Sequence, residues 1–261
     1  MFLAAPTSTG VRVRTLPVAT VLLALALVAC AVWALPGRAA LRVARHGAEA
    51  ALADSLANAP AGSRLAMLER DALRAQVGAL AAADVVEATA YSRGAPAALA
   101  VTALCLHGDV AHLVANLIGL VLAGVFVEIV IGPVWTLLLA IAGGALALHV
   151  DAALGPPGLL VGFSSAVAVL FGAYTVIYRR RRIRFTYVYL EHLRVVHGHF
   201  HVPAPAIAAI WLAQQWIGMT LAAHGESAGI AYASHLAGFG LGLVAAVLLQ
   251  HRRLPDPAPA V

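Results

Sequence analysis

From Val110 to Leu148 the chain carries one charged side chain, Glu128. A helix needs about 20 apolar residues to cross the roughly 30 Å hydrocarbon core of a bilayer, so this run is too long for one span. Gly132-Pro133 offers a turn within it, which makes two spans. Four more windows of similar character can be drawn, at about Leu16–Leu35, Leu160–Tyr178, Pro203–Ala223 and Ile230–Gln250. In lipid the backbone must satisfy its own hydrogen bonds, so each window reads as a helix. The expected fold is all-α: a polytopic membrane protein with a bundle of six transmembrane helices. With 62% hydrophobic and 11% charged residues, the chain lacks the polar surface that a soluble domain of this size requires.

The first window, with Arg12 and Arg14 before it, reads as a retained anchor. Its uncharged run exceeds the 7–15 residues of a signal-peptide core. All 17 basic residues are arginine, as a GC-rich coding sequence would favour. The net charge of +5 does not point to nucleic acid, because the arginines gather beside the membrane windows. Arg179–Arg182, Arg184 and Arg194 lie between spans four and five, Arg252 and Arg253 follow span six, and Arg12 and Arg14 precede span one. With six spans all three groups share one side, which the positive-inside rule makes cytoplasmic. The expected location is a bacterial plasma (inner) membrane, with both termini cytoplasmic.

The domains divide accordingly. Residues 1–15 are a cytoplasmic tail and 16–35 the first span. Residues 36–106 are an outer loop, 107–250 hold spans two to six, and 251–261 are a Pro-rich cytoplasmic tail. Within the outer loop, 63–86 has helical apolar spacing at Leu65, Leu68, Leu73, Val77 and Leu80. That helix could lie on the outer leaflet, cap the bundle, or pack on another part of the protein. Cys30 and Cys105 are not read as a disulfide.

With this topology, spans two, four and six run from outside to inside. His112 and Asn116 fall early in span two, Ser164 and Ser165 at the start of span four, and His235 early in span six. All lie in the outer half of the bilayer. Glu128 is about 18 Å further down span two at 1.5 Å per residue and cannot join them. Polar groups inside spans are costly and mark functional interiors. A serine, two histidines and an asparagine at one depth supply a nucleophile, a base and oxyanion donors, the parts of acyl transfer. His112 and Asn116 are one helical turn apart and share a face, so both could donate to one oxygen. Ser164 near a helix N-terminus adds backbone N–H groups and a favourable dipole. No carboxylate is expected at this depth. Singly, each residue has a plainer reading: serine bonding back to its helix, asparagine gluing helices, His107 satisfied or reaching the interface.

Gly238 and Gly242 lie one and two turns below His235 on the same face. Small residues at that spacing let backbones approach closely, so packing of this face on span four would bring His235 to Ser164. Gly162, two residues before Ser164, leaves room for a carbonyl and relaxes a tight turn into the helix.

These residues resemble the rhomboid intramembrane serine proteases. "LHGDVAHLVANLIGL" (106–120) resembles the family's His-x4-His-x3-Asn motif of span two, and "EIVIG" (128–132) its closing Glu-x3-Gly. "GFSSAVAVLFGAY" (162–174) is similar to the Gly-x-Ser-Gly nucleophile motif. "ASHLAGFGLG" (233–242) is similar to the Ala-His-x2-Gly-x3-Gly motif of span six. The resemblance covers about 105–250. It implies a Ser164–His235 dyad without an acidic third member, an oxyanion site formed by His112, Asn116 and the Ser164 N–H, and cleavage of transmembrane segments in other proteins. Three departures stand out. Ser165 replaces the glycine after the nucleophile, Ser234 replaces the alanine before the dyad histidine, and the Trp-Arg pair of many bacterial members has no evident counterpart before His107.

The resemblance leaves two further readings open, a catalytically inactive relative that binds transmembrane helices and a small transporter. The expected partners are transmembrane substrates and the bilayer. No cofactor and no metal is expected; "HGHFH" (197–201) could hold a metal, but reads better as an interfacial loop beside lipid headgroups.

Overall fold

The computed structural model describes residues 2–8, 16–58, 63–155, 158–191, 194–223 and 230–249. Arg12, Arg14 and the Pro-rich tail lie outside them. The chain is mainly helical. Helix α1 (Val18–Ala34) is followed by α2 (Arg38–Asn58), α3 (Arg64–Ala83), α4 (Val85–Ala88) and α5 (Ala98–Cys105). Then come α6 (Val110–Ile131), α7 (Pro133–Leu154), α8 (Ser164–Ile177), α9 (Ala204–Ala223) and α10 (Tyr232–Leu249). Among the described residues α6, α7 and α10 are each long and apolar enough to cross a membrane, and α1 with α2 would add a fourth span bent by 52°.

The long apolar run breaks where expected. Gly132 adopts φ +82°, a conformation open to glycine, and Pro133 starts α7 with the φ it already prefers. Asp109 caps α6, its side chain accepting from His112 N at 2.8 Å. At the far end of α6, Glu128 is buried. Its carboxylate accepts from Ala19 N, Thr20 N and Thr20 Oγ1, each at 2.8 Å. A carboxylate on the first turn of α1 satisfies orphan N–H groups and complements the helix dipole. Glu128 is thus fully occupied in joining two helices.

The fourth window shrinks to 14 residues in α8. Its first residues are used otherwise: Leu160 pairs with Tyr91 through N–H···O bonds of 2.7 and 3.0 Å, and Gly162 N donates to Ala103 O at 2.9 Å. Helix α8 is therefore about 21 Å long at 1.5 Å per residue, shorter than a full span. It is the core of the bundle. Ala166, Ala168, Val169 and Leu170 are fully buried, and α6, α7 and α10 surround it.

Three elements differ from the sequence reading or extend it. The segment after α8, expected as a loop, is a β-hairpin: β2 (Arg182–Glu191) and β3 (Arg194–Pro203) pair antiparallel, and β1 (Phe2–Ser8) adds to β2. Alternation explains it. Ile183 and Phe185 pack toward the core, while Arg182, Arg184, His199 and His201 are exposed. Residues 36–106, expected to carry one helix, carry four, α2 to α5. Of the apolar residues on α3, Leu73, Val77 and Leu80 are half-buried beside the α2–α3 contact, whereas Leu65 and Leu68 stay exposed. Lastly, Arg38 is buried, paired with Asp84 at 2.7 Å, and donates to the carbonyls of His107 and Gly108. This arginine ties the start of α2 and the α3–α4 junction to the turn that precedes α6.

Candidate active site

Helix α8 begins at Ser164, and Phe163 in the cap position provides no side-chain acceptor. The serine stands on the first residue of a helix whose N–H groups point toward it. The packing of α10 on α8 is set by glycines. A Cβ on Gly238 would sit 2.7 Å from Ser165 O, and one on Gly242 or Gly172 would overlap Val169 O or Phe239 O. Backbone rests on backbone, with no side chain to hold the helices apart. This brings His235 Nε2 to 2.8 Å from Ser164 Oγ.

The second imidazole nitrogen is also engaged. His235 Nδ1 lies 2.7 Å from Gln215 Oε1, on α9. An amide oxygen can only accept, so Nδ1 carries the proton and Nε2 is bare, able to receive the Ser164 hydroxyl hydrogen. Sequence reading missed Gln215. It is a polar residue in an apolar helix, and at 7% exposure it is buried. In the sequence, a polar residue within an apolar window is its signal.

A carboxylate is present near this level, contrary to the expectation. Asp151, near the end of α7, is buried, and its Oδ2 accepts from Ser234 N at 2.7 Å. It accepts from the backbone of Ser234, the residue before His235, at the start of α10. The histidine ring is held by Gln215 instead. Helix α7 runs antiparallel to α6, so its last turn, which carries Asp151, comes level with the starts of α8 and α10.

His112 and Asn116 converge on Gly162. A Cβ built there would lie 2.7 Å from His112 Nε2 and 3.7 Å from Asn116 Nδ2, and the residue has φ +114°. Gly108 N approaches His112 Nδ1 at 3.4 Å, which leaves Nε2 as the ring's donor. Asn116 is buried, and its Nδ2 has no hydrogen-bond partner among the described residues. Two donors thus face the space above Gly162, next to Ser164. A side chain at 162 would fill that space.

Ser165 is fully buried, and its hydroxyl finds no partner among the described residues. Ser234 is buried as well, with its hydroxyl donating to Ala231 O at 2.7 Å. His107 is neither satisfied nor reaching the interface. It is 1% exposed, and its ring meets the His112 ring edge-on at 5.2 Å. Burial, and then His112, push its pKa down to about 4 against the weaker pull of the Cys105 carbonyl, so it stays neutral. A neutral ring packed on His112 holds that side chain toward Gly162. His107 was visible as part of the span-two motif, but its role as packing was not.

No group of three His, Cys, Asp or Glu suited to a metal occurs among the described residues. Cys30 and Cys105 are free thiols.

Fold and site together define a helical membrane protein with a serine–imidazole pair beside the His112 ring and an Asn116 amide nitrogen that has no partner among the described residues. The Rhomboid domain family model matches residues 97–252, more than half of the chain, and the chain belongs to the rhomboid family. The comparison with curated proteins found no match.

Proposed function

We propose that this protein is an intramembrane serine endopeptidase that cleaves transmembrane segments of other membrane proteins. The observation that carries the proposal is the 2.8 Å approach of Ser164 Oγ to His235 Nε2, with His112 and Asn116 facing the glycine beside it. Rhomboid domains are typically those of serine intramembrane proteases.

In this mechanism Ser164 Oγ attacks the scissile carbonyl carbon while its proton passes to His235 Nε2. The carbonyl oxygen becomes an oxyanion, which His112 Nε2–H, Asn116 Nδ2–H and the Ser164 backbone N–H stabilise. The imidazolium then gives its proton to the leaving amine as the C–N bond breaks. Water, deprotonated by the same Nε2, hydrolyses the acyl-enzyme and regenerates Ser164. The substrate helix must unwind locally, since a carbonyl already bonded within a helix is not presented for attack. The reading includes six spans, cytoplasmic termini and a site in the outer half of the bilayer. The shortness of α8 supports it, because a helix of about 21 Å can begin below the outer surface.

One observation favours a second reading, an inactive relative that binds transmembrane helices without cutting them. Ser165 stands where the family motif has glycine, and its buried hydroxyl adds bulk at the start of α8. A fluorophosphonate probe on the purified protein in detergent separates the two. Labelling of wild type, absent in Ser164→Ala, supports the protease together with cleavage of a model transmembrane substrate in liposomes. No labelling at Ser164 overturns it.

A further inference from the structure

The base of the site is held by a neutral side chain. Gln215 and Trp211 lie one turn apart on α9 and so share a face. The Trp211 ring is 6.3 Å from the His235 ring and stacks on Phe239 at 5.6 Å. That packing sets α9 against the His235 turn of α10, and Gln215 Oε1 meets Nδ1 at 2.7 Å. The buried carboxylate nearby, Asp151, is engaged with Ser234 N and does not reach the ring nitrogen position that Gln215 occupies.

We propose that Gln215 is a third, positioning member of the catalytic group, fixing the Nδ1–H tautomer of His235 so that Nε2 faces Ser164. The inference rests on the protease reading above. An amide oxygen orients the ring as a carboxylate would, because both accept from Nδ1–H. It differs in charge. A carboxylate favours the imidazolium by Coulomb attraction, and a neutral amide contributes only its dipole. His235 therefore keeps the correct tautomer without being made a much stronger base. Placing a charged partner there would also bury an ion at 7% exposure, at considerable desolvation cost.

The test uses full-length protein carrying Gln215→Leu, which removes the acceptor at similar volume, and Gln215→Glu, which restores it with charge. For Gln215→Leu, kcat on a model transmembrane substrate should fall roughly 10–100-fold with KM little changed, since general-base function depends on the tautomer. For Gln215→Glu, activity should persist, and the acid limb of the kcat/KM profile should move up by roughly one pH unit or more. Independently of activity, the ¹⁵N shifts of His235 in labelled detergent-solubilised protein should report Nδ1–H in wild type and a mixture of tautomers in Gln215→Leu. Unchanged kcat and an unchanged tautomer in Gln215→Leu would overturn the proposal. Should that variant not fold, a wild-type His235 whose ¹⁵N shifts place the proton on Nε2 overturns it. If wild type neither labels nor cleaves, the protease reading fails while the tautomer measurement still decides what Gln215 does.

Discussion

The two ends of α6 carry polar side chains in the same apolar helix, yet treat them oppositely. At one end Glu128 has three donors at 2.8 Å and joins α6 to the first turn of α1. At the other, Asn116 Nδ2 is buried without a partner among the described residues, and His112 Nε2 faces the bare backbone of Gly162. Leaving a buried donor unpaired costs on the order of 1–3 kcal/mol. A helix that satisfies one polar group completely and leaves another unpaired separates architecture from chemistry. The satisfied end holds the fold; the unsatisfied end awaits an acceptor, which the proposed oxyanion supplies only during reaction.

The largest expected effects fall on the pair next to that unsatisfied end. Ser164→Ala and His235→Ala should each abolish cleavage of a model transmembrane substrate, with insertion and detergent stability retained; labelled-peptide mapping should find the probe on Ser164 and not on Ser165. Gly162→Ala comes next. Its methyl would press on His112 Nε2 and would need a positive φ, so activity should drop at least as far as when a donor is removed, and loss of fold without loss of specific activity would break the comparison. Asn116→Ala should lower kcat by roughly 10²–10³ with a smaller change in KM. Its melting temperature should hardly move, because the amide has no bond to lose. His112→Ala combined with Asn116→Ala should cost less than the sum of the singles, since both serve one oxygen. Steady-state kinetics in liposomes checks these.

Glu128→Ala should show the converse signature. Removing an acceptor that serves three donors should destabilise the protein by about 2–4 kcal/mol, seen in thermal unfolding, while kcat of the folded fraction stays near wild type. If Asn116→Ala instead destabilises and Glu128→Ala slows catalysis, the division between the two ends is wrong. The smallest effect is expected at Ser165. Its unpaired hydroxyl makes Ser165→Ala neutral or stabilising by up to about 1 kcal/mol, with measurable cleavage retained. Ser165→Gly should preserve or raise activity. A drop of tenfold, about 1.4 kcal/mol of barrier, would show that the hydroxyl donates a hydrogen bond in the reaction.

Much of this architecture was legible because it is written in local patterns. The apolar windows marked α1, α6, α7, α8, α9 and α10 to within a few residues at most ends, and Gly132-Pro133 marked the break between α6 and α7. The start of α8 was less legible. Nothing in "PPGLLVGFSS" announces that Leu160 will bond to Tyr91, a partner far away in the chain, and so shorten the helix. The β-hairpin was missed for a related reason: basic and histidine residues alternating with Ile183, Phe185 and Phe200 look like an interfacial loop until the register pairs them.

The candidate site divides the same way. Sequence alone determined which residue types could perform acyl transfer, their order along the chain, and the glycines at 162, 238 and 242 that permit close approach, because helical spacing puts His112 with Asn116, and His235 with Gly238 and Gly242, on shared faces. Only the tertiary structure decided which polar groups are paired with which. Gln215 on the His235 ring, Asp151 on the Ser234 backbone, and Arg38 on the turn before α6 are contacts between residues 20, 83 and about 70 positions apart. A hydrogen bond is a matter of a few tenths of an ångström and a direction. Periodicity can place a side chain on a face and at a depth, but its partner is chosen by how whole helices pack.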